Sequence, residues 1–126
     1  MFERGSYLKI RDNSGGKLIK VLKIKNFFGR QKGKSGDTII AIIQQLRNKR
    51  KNKSKVKLKQ RIKMFIVRSS GLQYRLDGST IRFDESSGIV LNRYNKLLGS
   101  RLFGPVNKDI RYQKYFRLLI LSPGAF

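Results

Sequence analysis

The chain has 126 residues, enough for one domain with a modest hydrophobic core and too few for a second. Lys and Arg number 30 against seven acids, a formal charge of +23, and self-repulsion on that scale opposes a compact state unless a polyanion offsets it. Nucleic acid is the expected partner and a membrane is not, because phosphates release counterions to a dense cationic surface whereas no clean amphipathic helix or anchor is present; the lack of Cys and His excludes thiol chemistry, the commonest zinc ligands and the usual neutral-pH general base.

The opening Met1-Phe-Glu-Arg-Gly-Ser-Tyr-Leu8 has neither the apolar core of a signal peptide nor an acid-poor organellar presequence. From Ser6 to Arg11 polar and apolar residues alternate, which predicts a first strand with Lys9 and Arg11 turned to solvent or to a partner. Asp12-Asn-Ser-Gly-Gly16 predicts a tight turn, since Asp and Asn bond to nearby backbone and glycine permits positive φ. In Lys17 to Phe28 the apolar residues do not keep one parity, so a bulged strand, a strand buried on both faces and a helix all remain open. Gly29 to Gly36 holds three glycines and the cations Arg30, Lys32 and Lys34, which suits either a loop moulded to a phosphate backbone or a solvated connection.

Asp37 to Gln44 contains four Ile and predicts a central strand with those side chains in the core. Beyond it the charge density peaks. Ten of the 17 residues from Arg47 to Lys63 are Lys or Arg, among them Arg47, Lys49, Arg50, Lys51 and Lys53. A run of this kind is often a disordered tail, but its second half alternates: Lys55, Lys57, Lys59, Arg61 and Lys63 on one parity, Val56, Leu58, Ile62 and Met64 on the other. That pattern predicts a half-buried strand whose outer face is a ladder of cations at about 6.6 to 7 Å spacing, rigid enough to meet successive phosphates.

Ile62 to Leu91 reads as the centre of the sheet, with strands at 62–68, 80–83 and 88–91, the last two forming a pair, and a hairpin turn at Asp77-Gly78. Tyr74 and Arg75, held out by that hairpin, offer a ring and a cation for an exposed base. The adjacent acids Asp84 and Glu85 lack a His or a third carboxylate at ligand spacing, so a local turn or an ion pair with Arg82 is expected rather than a metal or catalytic site. Asn92 to Gly99 is a polar turn or short helix, Arg101 to Val106 bends the chain, and Asn107 caps a helix carrying Asp109 in its first turn. Tyr112 to Leu121 is expected to finish as a strand, with its aromatics covering one end of the barrel.

Taken together, Asp12-Asn-Ser-Gly15, Gly36-Asp37, Asp77-Gly78-Ser79-Thr-Ile-Arg-Phe83, Gly99-Ser-Arg-Leu-Phe-Gly-Pro-Val106, Arg111 and the closing Leu121-Ser-Pro123 resemble, in order and spacing, the universal large-subunit ribosomal protein L14 family, from about Tyr7 to Pro123. The resemblance implies an all-β fold, a small closed five-stranded barrel with a hairpin extension and short C-terminal helices. It also implies a non-enzymatic structural protein, without metal or cofactor, that binds large-subunit ribosomal RNA at the subunit interface and contributes to a bridge with small-subunit RNA. Implied neighbours are an L19-like protein, an L3-like one as a further candidate, and a factor that keeps subunits apart. Arg101, Phe103, Lys108 and Arg111 would then serve the protein and bridge contacts, and the strand from Lys55 with Tyr74 and Arg75 much of the RNA contact. Lys59-Gln60, Leu76 and Asp84-Glu-Ser-Ser87 depart from the family pattern, which puts local turns in question more than the fold. Those departures, the charge and a Lys-, Ile-, Asn- and Phe-rich composition fit an organellar, mitochondrial member synthesised inside the organelle, with a plastid or a bacterial cytoplasm as the alternatives. The competing readings are a freestanding nucleic-acid-binding module and a nuclease using Asp12, Asp77 or Asp84.

Overall fold

The computed structural model describes residues 1–25, 29, 31–47, 53–112 and 114–126. Five strands close into a barrel in the order β1 (Tyr7–Ile10), β2 (Gly16–Lys25), β3 (Thr38–Leu46), β4 (Arg61–Arg68) and β7 (Ser87–Leu91), and a separate two-stranded hairpin is made by β5 (Gln73–Tyr74) and β6 (Thr80–Ile81). All neighbours in the barrel are antiparallel except β1 and β7, whose parallel pairing closes it. Closure leaves no long unpaired edge, the usual hazard of a β protein.

The sequence of β2 resolves as a bulged strand. Ile19 and Val21 enter the barrel on odd positions, a register shift falls between Val21 and Lys23, and Ile24 then packs against the core on an even one. An extra residue on one strand inverts the side-chain parity beyond it, which is why no single alternation fitted this segment. On β3, Ile39 and Ile43 are fully buried with Ala41 between them, but Ile40 and Ile42 lie half-buried on the outer face, so the expectation of four core isoleucines holds for two.

Two cores share the wall formed by β4 and β7. Ile62, Met64, Ile66 and Val90 fill the barrel interior, while Phe65, Val67, Ile89 and Leu91 point outward into a second cluster with Leu102, Val106, Ile110 and Leu118. The last third of the chain therefore exists to cover the outside of these two strands. It does so with a 3-10 helix (Lys108–Tyr112), which Asn107 caps as expected by accepting the Asp109 N–H at 3.0 Å, and with a single turn of α-helix, α1 (Leu118–Leu121), in place of the strand expected over Tyr112 to Leu121. The run Leu118-Leu-Ile-Leu121 is apolar on every position and carries no period, so its geometry follows from which neighbours it meets. Tyr115 lays its ring 4.6 Å from that of Phe65, so it covers the outer wall and not the expected end of the barrel, while Phe116 stays exposed.

The pairing of residues 80–83 with 88–91 is also revised. Thr80 and Ile81 bond to Tyr74 and Gln73, whereas β7 bonds to β1 and β4. The turn between β5 and β6 is as read: Gly78 has φ +85, and Asp77 Oδ1 accepts bonds from the Ser79 backbone N–H at 2.9 Å and its hydroxyl at 2.6 Å.

Candidate nucleic-acid interface

The barrel has two ends, and charge is divided unequally between them. One end collects the connection after β1, the connection from β3 to β4, and the segment following β7. Arg47 N–H donates to Gly15 O at 3.0 Å and Lys55 N–H to Ser14 O at 2.9 Å, while Lys59 and Gln60 exchange backbone bonds with Ile43. The result gathers Lys53, Lys55, Lys57, Lys59, Arg61, Arg93, Lys96 and Arg101, all exposed, around the half-buried Arg47. The acid at this end, Asp12, is 2% exposed, and its carboxylate is committed to the Ser14 backbone and hydroxyl and to Val90 N–H at 2.5 to 3.0 Å. Among the described residues no exposed acid stands at this end, so its field favours a polyanion.

Of the six remaining acids, all elsewhere, Asp84 is exposed and the other five have partners. Glu3 lies 3.6 Å from Lys32, Asp37 accepts the Lys34 N–H, Asp77 builds the hairpin turn, and Asp109 lies 3.6 Å from Arg75. Glu85 is the busiest. Arg11 donates to both of its oxygens at 2.7 and 2.9 Å, Lys9 approaches to 2.8 Å and Arg68 to 3.7 Å; Arg82, the partner expected from sequence, is not among these contacts. Bonding from the Arg11 guanidinium, with help from Lys9, holds the Glu85 carboxyl down at about 2 against the desolvation that would raise it. A carboxylate depressed in the folded state contributes stability that is complete above its ordinary value of 4.5 and fades as pH falls towards about 2. We therefore expect an acid-induced loss of roughly 2 kcal/mol across that window, absent in Glu85→Gln and measured by urea unfolding at stepped pH.

The cationic ladder is corrected. Residues 53–60 form turns and bends, not a strand; β4 starts at Arg61. Lys59 takes a left-handed φ of +58, Lys57 N–H is held by Gln60 Oε1 at 2.8 Å, and Leu58, assigned to the buried parity, is 53% exposed. Val56 does go in, at 1% exposure, and anchors the segment to the barrel core. The cations thus fan out from an ordered loop rather than line a strand.

Other sequence candidates divide similarly. Arg47 donates to Ile10 O at 3.2 Å and stacks its guanidinium 5.1 Å from the centre of the Phe103 ring, and Lys55 Nζ reaches Leu98 O at 3.1 Å. Arg75 is drawn inward, to Asn107 Oδ1, the Phe126 carbonyl and Asp109, which removes it from the exposed pair imagined with Tyr74. Tyr74 is 79% exposed, between Leu72 at 50% and a fully exposed Leu76, so the hairpin shows an apolar tip rather than a ring beside a cation. Lys32 and Lys34 occupy the opposite end; Lys108 and Arg111 are exposed on the 3-10 helix. Arg30, Lys49, Arg50 and Lys51 lie outside the described residues.

Two motifs far apart in the chain meet in one joint beside the cationic end. Asn13 Oδ1 accepts the N–H groups of Ser100 at 2.8 Å and Arg101 at 3.3 Å, Asn13 Nδ2 donates to Ser100 Oγ, and Phe103 N–H bonds to Arg11 O. A Cβ at Gly99 would sit 2.6 Å from Asn13 Oδ1, so a larger residue there would displace the Asn13 side chain from these bonds. The Asp12-Asn-Ser-Gly and Gly-Ser-Arg-Leu-Phe-Gly-Pro stretches are therefore halves of one structure. Comparison with known families agrees: the model described as "Ribosomal protein L14p/L23e" matches residues 1–126. The chain belongs to that family. A curated relative, the large ribosomal subunit protein uL14 of Carsonella ruddii (strain PV), is 34% identical over 122 residues, covering 97% of each chain. Membership of the L14 family makes this a ribosomal protein of the large subunit, structural in role, with a general task of binding ribosomal RNA. One feature of the site had no mark in the sequence reading, the turn carrying Arg93 and Tyr94. The sequence predicts only a polar turn or short helix over Asn92 to Gly99, although Tyr94 between Arg93 and Lys96 is the available signal.

Proposed function

We propose that this L14-family chain neutralises and positions large-subunit ribosomal RNA at the subunit interface through the cationic end of its barrel, and adds to a bridge with small-subunit RNA. The observation that carries the proposal is the charge division itself: exposed cations crowd one end, whose acid is buried and internally bonded. Lys53, Lys57, Lys59 and Arg61 are the principal phosphate contacts, joined by Arg47 and Lys55 and, by position in the chain, Lys49, Arg50 and Lys51. Lys9, Arg11, Lys32 and Lys34 are weaker contacts, since Lys9, Arg11 and Lys32 have acidic partners of their own, and Arg30 joins them by position in the chain alone.

Arg101, Phe103, Lys108 and Arg111 serve the bridge and the protein neighbours, L19-like and L3-like, and the exposed Leu72, Tyr74 and Leu76 suit an apolar protein contact better than a phosphate. A subunit anti-association factor would use the same C-terminal side. The Lys-, Ile-, Asn- and Phe-rich composition supports a mitochondrial ribosome as the setting.

Salt dependence tests the mechanism. The triple variant Lys53→Ser, Lys57→Ser, Lys59→Asn removes three charges while keeping at position 59 a residue that tolerates left-handed φ. Affinity for a large-subunit RNA fragment should fall, and the slope of log K against log salt should shrink by about 2 to 3, with the melting temperature unchanged. An unchanged slope would remove this loop from the interface, and a wild-type slope near zero would remove the electrostatic mechanism.

A further inference from the structure

The turn after β7 is built to hold the backbone beneath one aromatic ring. Asn92 Oδ1 accepts the backbone N–H groups of Tyr94 and Lys96, each at 2.9 Å, Asn92 N–H donates to Lys96 O at 2.9 Å, and Asn95 closes the bend at φ +60 with its N–H on Asn92 O. The turn is tied down from outside as well. Lys63 Nζ donates to Asn95 Oδ1 at 3.2 Å, the Tyr115 hydroxyl donates to Asn95 O at 3.0 Å, and Leu98 N–H bonds to Val90 O. Tyr94 projects from this frame at 69% exposure, with the Arg93 guanidinium 5.2 Å from its ring centre and an exposed Lys96 two residues on.

An exposed Tyr needs no explanation when it stands alone on a mobile loop. Here the backbone is already ordered, so docking a base costs the ordering of one side chain and not of the turn that carries it. The ring also belongs to the end of the barrel where cations outnumber acids, which sets it apart from Tyr74 among leucines. We propose that Tyr94 is a stacking platform for one unpaired base of RNA, with Arg93 packed against the ring and Arg93 and Lys96 directed to the flanking phosphates. This rests on the ribosomal RNA-binding role proposed above and extends it: the barrel end recognises single-stranded RNA by its bases in addition to its charge.

The chain contains no Trp, so Tyr94→Trp gives it a single indole at the proposed contact. Emission from that indole should fall by about half or more when a single-stranded oligoadenylate RNA binds, and should stay unchanged when inorganic polyphosphate binds. Tyr94→Ala should weaken oligoadenylate binding about tenfold, well inside the range that stacking supplies, and leave polyphosphate binding as it was. Tyr94→Phe, which keeps the ring, should stay within about twofold of wild type. Bound oligoadenylate with unaltered indole emission, or equal losses for Ala and Phe, would overturn the platform while leaving the electrostatic reading intact. A wild-type protein that binds neither polyanion would overturn both.

Discussion

Asp12→Ala is expected to lower the unfolding free energy by about 3 to 4 kcal/mol, read as a fall in the urea midpoint with an unchanged slope. The two carboxylate oxygens divide their work: Oδ1 takes the Ser14 N–H and hydroxyl, and Oδ2 takes the N–H of Val90 in the facing strand β7. The site is 2% exposed, so alanine would leave donors buried without an acceptor, at roughly 1 to 3 kcal/mol each. Asn provides the sharper comparison. It matches the side chain in size, but whichever way its amide is turned one donor faces another, so Asp12→Asn should also destabilise, by about 2 kcal/mol. An Asn variant as stable as wild type would mean that the turn needs only bulk at this position.

Phe65→Ala is the second large effect, about 3 to 5 kcal/mol in the same measurement. Phe65 lies on the outer side of β4, 2% exposed, and is the contact through which Tyr115 and the second cluster meet the barrel wall. Its loss should be local in character. Amide hydrogen exchange should accelerate first around Val106, Ile110 and Leu118, with Ile39, Ala41 and Ile43 in the first cluster protected until global unfolding. Uniform acceleration across both clusters would show that they unfold as one unit. A domain of this size has only about 5 to 15 kcal/mol to lose, so either variant is expected to melt well below wild type.

The fold was legible where local chemistry decides structure. Asp12-Asn-Ser-Gly and Asp77-Gly-Ser each turn the chain by the same Asx bonding, and the broken parity of Lys17 to Lys25 recorded its bulge. It was illegible where composition counterfeits a pattern. Between Lys55 and Lys63 nearly every second residue is cationic, so alternation appears whether or not a strand exists, and no glycine marks the bend that Lys59 makes with its own left-handed backbone. Arg75 was misjudged for a different reason: its partners Asn107 and Asp109 are more than thirty positions downstream, and only the fold brings them together. The tetrapeptide Leu118–Leu121 follows the same rule, taking a helical turn because its contacts with the outer wall reward one.

At the candidate site, the sequence identified which residues carry charge, while the barrel decided which of them act together. Lys57 and Arg101 are 44 positions apart by number yet belong to connections on one barrel end, and Lys32, nearer to Lys57 in the chain, belongs to the other. The acids were informative by where they are not: Glu85 occupies Lys9 and Arg11 and Glu3 approaches Lys32, whereas Asp12, the acid at the end that carries Lys53 to Arg61, is buried and internally bonded.

A map of the assembled large subunit at side-chain resolution tests the central claim most directly. The loop from Lys53 to Arg61 and the turn from Asn92 to Lys96 should lie against ribosomal RNA, with the Leu72, Tyr74 and Leu76 tip on a protein neighbour. A particle in which that end of the barrel faces solvent or protein, with the RNA on the Lys32 and Lys34 side, would contradict it.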